Sequence, residues 1–504
     1  MVSRQTLRLH PDDNVLIALA DLPTGTRIDG LTLPGPVPRA HKLAARAIAP
    51  GERVLRYGQT IGQATEAIVP GAHVHTHNLG MGDHAADFAF GTDLRTLPDP
   101  GPLREFMGYH RADGRVGTRN YLGILTSVNC AGSVARFIAE AAEQSDWLRA
   151  MPGIDGVVPI VHGTGCGLAA DDEGYATLYR TLQGWARNPN FGAILLVGLG
   201  CEVMQVPDLV GQGRLRADGA FRYMTIQQTG GTRATVERGV AMLREMAQDA
   251  GRATRAPAPA SALTIGLQCG GSDGYSGITA NPALGAASDL LVAMGGTTIL
   301  SETPEIYGAE HLLTRRAVSP EVGEALIDRI RWWEDYTARN GGQMDNNPSP
   351  GNKKGGLTTI LEKSLGAVAK GGTAPLRAVY KYAEPATTPG FVYMDSPGYD
   401  PCSVTGQIAS GANLIAFTTG RGSVSGFKPV PCIKLSTNTQ MHNRMAEDMD
   451  IGCGDILDAG VPIATKGAEI LDLMLRVASG EATKSEALGF GGAEFVPWQI
   501  GAVM

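Results

Sequence analysis

The sequence lacks most of the features that would settle its class at once. No stretch of about 18 consecutive apolar residues occurs, so no membrane-spanning helix is expected. The N-terminus, MVSRQTLRLHPDDNV, has no apolar core of the kind a secretory signal needs. There is no excess of positive charge: the formal net charge is −7, which argues against a general affinity for nucleic acid. No G-x-G-x-x-G joins a strand to a helix with an acidic residue beyond it, so no dinucleotide is expected. A Walker loop, a G-x-S-x-G elbow and an H-E-x-x-H helix are also missing. Cysteine is sparse, with seven residues, an odd number, and no C-x-x-C spacing. That pattern points to reduced thiols and a cytoplasmic protein. No short-period repeat is visible.

The 504 residues are too many for one core, and 43% hydrophobic with 18% charged content is ordinary for a globular chain. The 67 glycines lie in strand-end loops, not in a repeat. Residues 1–80 read as a small all-β module of short strands between Pro-Gly breaks. Residues 81–107 and 251–262 are rich in proline and read as linkers. Residues 108–250 and 263–504 alternate apolar strand, glycine turn and helix, the pattern of βαβ units. The fold class expected is therefore α/β: a β module followed by two α/β domains with largely parallel sheets.

Four cysteines sit where an apolar run meets a glycine-rich break: Cys130, Cys166, Cys201 and Cys269. Such strand ends form the rim where open α/β sheets bind ligands. Four thiols from four strands could converge on one site: three thiolates could hold an iron–sulfur cluster with one open iron, and mixed thiolate, imidazole and carboxylate could instead hold a single divalent iron, manganese or zinc. Glu202 follows Cys201, and Ser272 and Asp273 follow Cys269, adding carboxylates to the set. GAHVHTHN places His73, His75 and His77 at period two, so on a strand all three would share a face; His75 and His77 are the stronger metal candidates. Glu302 and Glu305 follow the strand TTIL, where Glu302 could act as a base and Glu305 suits a helix start. Asn352, Lys353 and Lys354 in NPSPGNKKGG and Arg421 in TTGRG could grip a carboxylate, as could Arg115 and Arg119.

Taken in order, these motifs resemble the altronate dehydratase and galactarate dehydratase family of sugar-acid hydro-lyases. The matching segments include DNVLIALADL, GAHVHTHN, GRVGTRNYLGI, GLGCE, CGGSDGYSGITANP, GGTTILSETPEIYGAE, NPSPGNKKGGLTTILEKSLG and TTGRG, from about residue 13 to 455. The HxHxH segment and GGSDGYSGITANP are closer to the altronate enzyme, while HGTGCG and SPGYDPCSVTG depart from it. A sulfolactate-cleaving relative shares the scaffold. The resemblance implies an N-terminal SAF domain and dependence on iron(II), with manganese(II) or an iron–sulfur cluster as alternatives. By motif it carries over His75, His77, Cys166, Cys201, Glu202 and Cys269 as metal candidates. Asp273, Asn352, Lys353 and Arg421 become substrate-binding candidates, and His77, Glu302 and Lys353 candidate acid–base groups. The expected reaction is loss of water from a linear sugar acid to give a 2-keto-3-deoxy acid. The expected partner is a small-molecule sugar acid, and the expected assembly a homo-oligomer, taken as a dimer. A non-catalytic sugar-acid sensor on the same scaffold is the rival reading.

Overall fold

The computed structural model describes residues 5–82, 88–211 and 220–501, so residues 83–87 of the expected first linker lie outside it. No helix among the described residues is long and apolar enough to cross a membrane.

The N-terminal module is built from short antiparallel strands. Thr6–Leu7, Val15–Ala18, Lys42–Ala44 and His73–Val74 form one sheet, and Arg53–Arg56, Gln59–Ala64 and Leu79–Gly80 another. Period-two alternation in VLIA sends side chains to opposite faces. Leu16 and Ala18 enter the module's own core with Leu22, Leu33 and Leu43. Val15 instead joins a large core that includes Leu284 and Leu365, and Ile17 packs with Tyr275 and Ile278. The module therefore has two apolar faces, and the second is buried against the C-terminal part of the chain.

The middle domain carries four parallel strands: β1 (Tyr121–Thr126), β2 (Val157–Ile160), β3 (Phe191–Gly198) and β4 (Phe221–Thr225), in the spatial order β2-β1-β3-β4. Every residue of β3, FGAILLVG, is buried, as expected of a parallel strand covered on both faces. The C-terminal domain has, among the described residues, seven parallel strands. They are β5 (Thr264–Cys269), β6 (Thr297–Leu300), β7 (Leu376–Tyr380), β8 (Gly390–Met394), β9 (Leu414–Thr419), β10 (Cys432–Ser436) and β11 (Ile451–Gly452). Their order is β7-β8-β6-β5-β9-β10-β11. From β5 the chain first winds to one side and from β9 to the other. The strand order thus reverses between β5 and β9, and the crevice beyond their carboxyl ends is where such sheets bind ligands.

One expectation is corrected. The two segments read as linkers contribute to a small sheet: Glu105–His110 pairs antiparallel with Ala256–Pro259 and with Val116–Gly117. Proline misleads here because it removes a ladder donor, yet Pro257 and Pro259 occupy an edge strand, where that loss is tolerated.

The junction between the N-terminal module and the C-terminal domain is locked by one buried carboxylate. Glu362 lies on α1 (Ile360–Val368) and accepts Lys42 Nζ at 2.8 and 2.9 Å, Thr358 N at 2.8 Å and Thr358 Oγ1 at 2.6 Å. Arg56 Nη1 also donates to it, and Arg56 Nη2 donates to Gly274 O. Burial alone would raise this carboxyl, but Lys42 and Arg56 outweigh it and hold the pKa at about 2. Because the folded value is depressed, the stability that Glu362 confers is present above its ordinary range and lost as pH falls toward 2. Glu362→Ala would leave two buried cations unpaired and should cost about 3–5 kcal/mol of unfolding free energy. Urea titration with limited proteolysis of the N-terminal module checks this; a cost below about 1 kcal/mol would show that the apolar contacts dock the module unaided.

Candidate active site

A cavity of about 130 Å³ opens at this junction, over the carboxyl ends of β5 and β9. Its walls bring Arg39 from the N-terminal module together with Lys354, Arg421 and Arg444 from the C-terminal domain. Asp273 is the carboxylate in the wall. Its oxygens accept Tyr275 N at 3.1 Å, Ser276 Oγ at 3.0 Å, Thr437 Oγ1 at 3.0 Å and Asn438 Nδ2 at 3.1 Å. Burial pushes its pKa up, while those donors, Thr437 first, pull it back. Asp273 is thus fully engaged in holding the loop. Gly420 is required beside it, since a Cβ there would lie 2.2 Å from the Asp273 carboxyl carbon. Arg421 N–H donates to Gly271 O at 2.8 Å, which pins the start of TTGRG onto the CGGSD loop. With four cations and one satisfied carboxylate, the cavity suits a small anion.

Just behind the CGGSD loop lies a sealed polar cluster. Cys269 ends β5, and Glu302 and Glu305 follow β6; single ligand atoms of the three lie within 4.8 Å of one another. Lys370 Nζ contacts Cys269 Sγ at 2.9 Å and Glu302 Oε2 at 3.0 Å. Lys363 Nζ contacts Glu305 Oε1 at 2.7 Å, and Asn347 Nδ2 donates to the same oxygen at 2.7 Å. The donor set would suit a cation, but two ammonium groups already provide the positive charge and occupy the contacts a metal would make. The trio therefore fits a metal poorly as arranged. Burial, then the charge of Glu305, pushes Glu302 up to about 8, against the pull of Lys370. Burial likewise pushes the Cys269 thiol up to about 12 and Asp400 to about 7. Glu302 also has a backbone φ of 72°, the left-handed region that costs a non-glycine residue about 1–3 kcal/mol. Such local strain, held by the Glu302 N–H to Ser396 Oγ bond at 3.0 Å, is typical of functional positions.

The histidine segment departs from its expected geometry. Only His73–Val74 is strand; Asn78 folds the rest into a turn, its side chain taking His75 N–H at 2.9 Å and donating to His73 O at 3.0 Å. The rings still gather, with His73 5.3 Å from His75 and 5.5 Å from His77 between centroids. His41, unnoticed in the sequence, joins them: its Nδ1 lies 3.0 Å from His73 Nε2 and its Nε2 3.2 Å from Lys354 O. A carbonyl only accepts, so His41 Nε2 carries the proton and its Nδ1 must accept from His73 Nε2–H. Burial pushes His41 down to about 4 and His73 to about 3, so both rings are neutral at physiological pH. His75 Nε2 donates to Lys353 O at 2.8 Å.

The remaining candidates are placed as follows. Lys353 is half-buried and offers its carbonyl to His75, whereas Lys354 lines the cavity. Asn352 is the third residue of the short helix Pro350–Lys354, accepts the N–H of its cap Ser349 at 3.0 Å and donates to Ser272 O at 2.9 Å, so it positions the loops. Arg119 is tied to Glu486 and Arg115 to Asp113, both away from the cavity walls. The four cysteines do not converge: Cys269 is buried in the C-terminal domain, while Cys130, Cys166 and Cys201 are exposed on the rim of the middle domain. The reason is topological, since two separate sheets supply them. Glu202 is buried and accepts Ser127 Oγ at 2.6 Å and Gly200 N at 2.6 Å, which braces that rim. Sequence reading missed Arg39, His41, Lys363, Lys370, Asp400 and Arg444. For Lys363 and Lys370 a signal existed: they stand seven apart in the apolar ILEKSLGAVAKGG, where buried lysines demand carboxylate partners.

Comparison with known proteins matches three family models along the chain. Residues 4–82 match the altronate/galactarate dehydratase SAF domain, and residues 108–251 the second domain of D-galactarate dehydratase/altronate hydrolase. Residues 260–503 match the C-terminal domain of D-galactarate/altronate dehydratase. The galactarate dehydratase (L-threo-forming) of Escherichia coli K12 is 38% identical, covering 94% of this chain and 93% of its own. The altronate dehydratase of the same strain is 36% identical and that of Bacillus subtilis 168 is 34% identical, each covering 96% of this chain and 97% of its own.

The Glu302 carboxyl gives a pH test. Its folded pKa lies near 8, above the ordinary 4.5, so between these values the native protein holds a proton that the unfolded chain has released. Its contribution is full at low pH and is lost as pH rises through about 8. Glu302→Gln should therefore gain stability relative to the unsubstituted protein between pH 4.5 and 8, levelling off above. Denaturant titrations across this range check it; a difference that does not vary with pH would mean that Glu302 is ionised throughout.

Proposed function

The chain belongs to the D-galactarate/altronate dehydratase family, and from that membership together with the junction cavity we infer that it dehydrates a linear sugar acid. It is a hydro-lyase, and the proposed substrate is an aldonate or aldarate of the altronate or galactarate kind. The observation that carries the site assignment is the gathering of Arg39, Lys354, Arg421 and Arg444 around one cavity at the crevice between β5 and β9.

The chemistry follows from the substrate. The C2 proton of a sugar acid is acidified by the neighbouring carboxylate, and its removal builds negative charge on the carboxylate oxygens. Guanidinium and ammonium groups fixed around that carboxylate are worth more to this charge than to the ground state. A base takes the C2 proton, the C3 hydroxyl leaves as water with a proton from an acid, and the enol product tautomerises to the 2-keto-3-deoxy acid. The imidazoles of the His41–His73–His75–His77 group stand behind Lys353 and Lys354 and are the proposed source of acid–base function, His41 and His73 being neutral and His77 the exposed member. Glu302, protonated below about 8, is the alternative proton donor. Iron(II) is the proposed cofactor, with manganese(II) second; when bound, such an ion would polarise the carboxylate and loosen the C3 hydroxyl.

A panel of aldonates and aldarates, incubated anaerobically with the protein and iron(II), should include one that yields a 2-keto acid trapped by semicarbazide. No keto acid from any member would contradict dehydration. With the active substrate, Arg421→Met should raise KM about 10- to 100-fold, the worth of a charge-assisted contact, with a smaller effect on kcat. An unchanged KM would remove Arg421 from the carboxylate's contacts.

A further inference from the structure

The junction cavity is small for its task. Sites for small molecules usually run to about 300–1,000 Å³, whereas this one, at about 130 Å³, has room for one end of a hexose-derived acid. A second cavity, of about 610 Å³, adjoins it, and Arg39 and Tyr275 line both. It too is built across the junction. Leu7 and Leu19 come from the N-terminal module, and Ile456 and Leu457 from α2 (Asp455–Asp458) of the C-terminal domain. Leu7, Leu19 and Leu457 pack against the cluster of Ile17 and Tyr275, so the walls are apolar and fixed. Besides Arg39 and Tyr275, the polar side chains facing this space are Gln5 and Asp458.

Asp458 is tied to the first cavity from two sides. Its Oδ2 accepts Thr439 Oγ1 at 2.6 Å, and the neighbours of Thr439, Asn438 and Gln440, line the junction cavity. Gly454, just before α2, permits this approach, because a Cβ there would lie 2.2 Å from Thr439 N. Asp458 Oδ1 stands 3.7 Å from Arg39 Nη2 and, among the described residues, accepts no hydrogen bond. Arg39 is steadied by Tyr275: its Nε donates to Tyr275 Oη at 3.3 Å, and its guanidinium lies 5.4 Å from the ring centroid. Tyr275 Oη in turn donates to Ala18 O at 2.8 Å. Arg39 therefore stands between the two spaces, with the other cations on one side and a carboxylate bearing an unused oxygen on the other.

We propose that the second cavity receives the far end of the substrate, and that Asp458 selects an acid ending in a hydroxyl over one ending in a second carboxylate. This deepens the dehydration reading and rests on it. With the first carboxylate among Arg421, Arg444 and Lys354, the carbon chain leads past Arg39 and lays its C–H faces on the apolar walls. A terminal hydroxyl has a proton to donate to Asp458 Oδ1. A terminal carboxylate has none, and meets a like charge instead. At about 4 Å in water-exposed surroundings that repulsion is worth about five- to tenfold in affinity. Rejection by repulsion is a common route to specificity. Asp458 is exposed, so the effect is open to screening by salt. Asp458→Asn also releases Arg39, but Arg39 serves the first carboxylate, which both kinds of acid share. The ratio between the two acids therefore reads the far end alone.

The test compares a hexonate with the hexarate of the same configuration, so that the two acids differ only at the far end. At low ionic strength the unsubstituted protein should give a kcat/KM for the hexonate about five- to tenfold above that for the hexarate. Asp458→Asn should bring the two within about twofold of each other. Salt at about 1 M, where the screening length is about 3 Å, should do the same to the unsubstituted protein. A preference for the hexarate, a ratio that Asp458→Asn leaves unmoved, or a gap that persists in full at high salt would overturn the role of Asp458. Affinities of the same two acids, by calorimetry, separate this selection from the reaction. Keto acid from neither would defeat the dehydration reading, while the same gap in affinity, closed in Asp458→Asn, would leave the selection standing. Equal affinities of the unsubstituted protein for both acids would remove the selection and leave dehydration standing wherever keto acid forms.

Discussion

The Glu362 carboxylate is the constraint on which the rest of the molecule depends. It is a single buried negative charge that takes Lys42 and Arg56 from the N-terminal module and the Thr358 backbone from its own domain. A dry ion pair is favourable only when its lone pairs and protons are satisfied, and here they nearly all are, Arg56 Nε being the exception. The pair does more than hold two surfaces together. Gly274, which accepts Arg56, is the residue after Asp273, and Gly356, which accepts Lys42 Nζ at 2.7 Å, closely follows Lys354. The tie that docks the module therefore also sets both walls of the basic cavity.

Two electrostatic environments then stand a few residues apart. The cavity is open and carries an excess of positive charge, held in readiness for an anion. The cluster behind it is sealed, with Lys363 paired to Glu305 and Lys370 in contact with Glu302 and Cys269. The short segment from Cys269 to Asp273 connects them, beginning at a buried thiol and ending at a carboxylate in the cavity wall.

Much of the architecture was legible because parallel strands covered on both faces read as unbroken apolar runs, as in β3, and because glycine marks their ends. The same rule points to the crevice beyond those ends, where the basic cavity lies. The companion residues were harder to see. His41 sits in PRAHKLAA with nothing to mark it, and its role arises only because the module folds onto Lys354. Arg39 faces the cavity for the same reason. The expected shared face of His73, His75 and His77 failed because Asn78 offered the backbone a turn that a period-two pattern cannot reveal. The expected meeting of four cysteines failed because spacing along the chain does not say which strands share a sheet, and Cys269 belongs to a different one from the other three.

The central claim is that the two domains grip one carboxylate between them. The most direct measurement is a double-mutant cycle on substrate affinity, by calorimetry, with Arg39→Met in the N-terminal module and Arg421→Met in the C-terminal domain. If both hold the same carboxylate, each single change weakens binding and the pair together costs less than the sum, with a coupling of about 0.5–3 kcal/mol. An Arg39→Met protein with unaltered affinity, or two losses that simply add, would contradict a site shared across the junction.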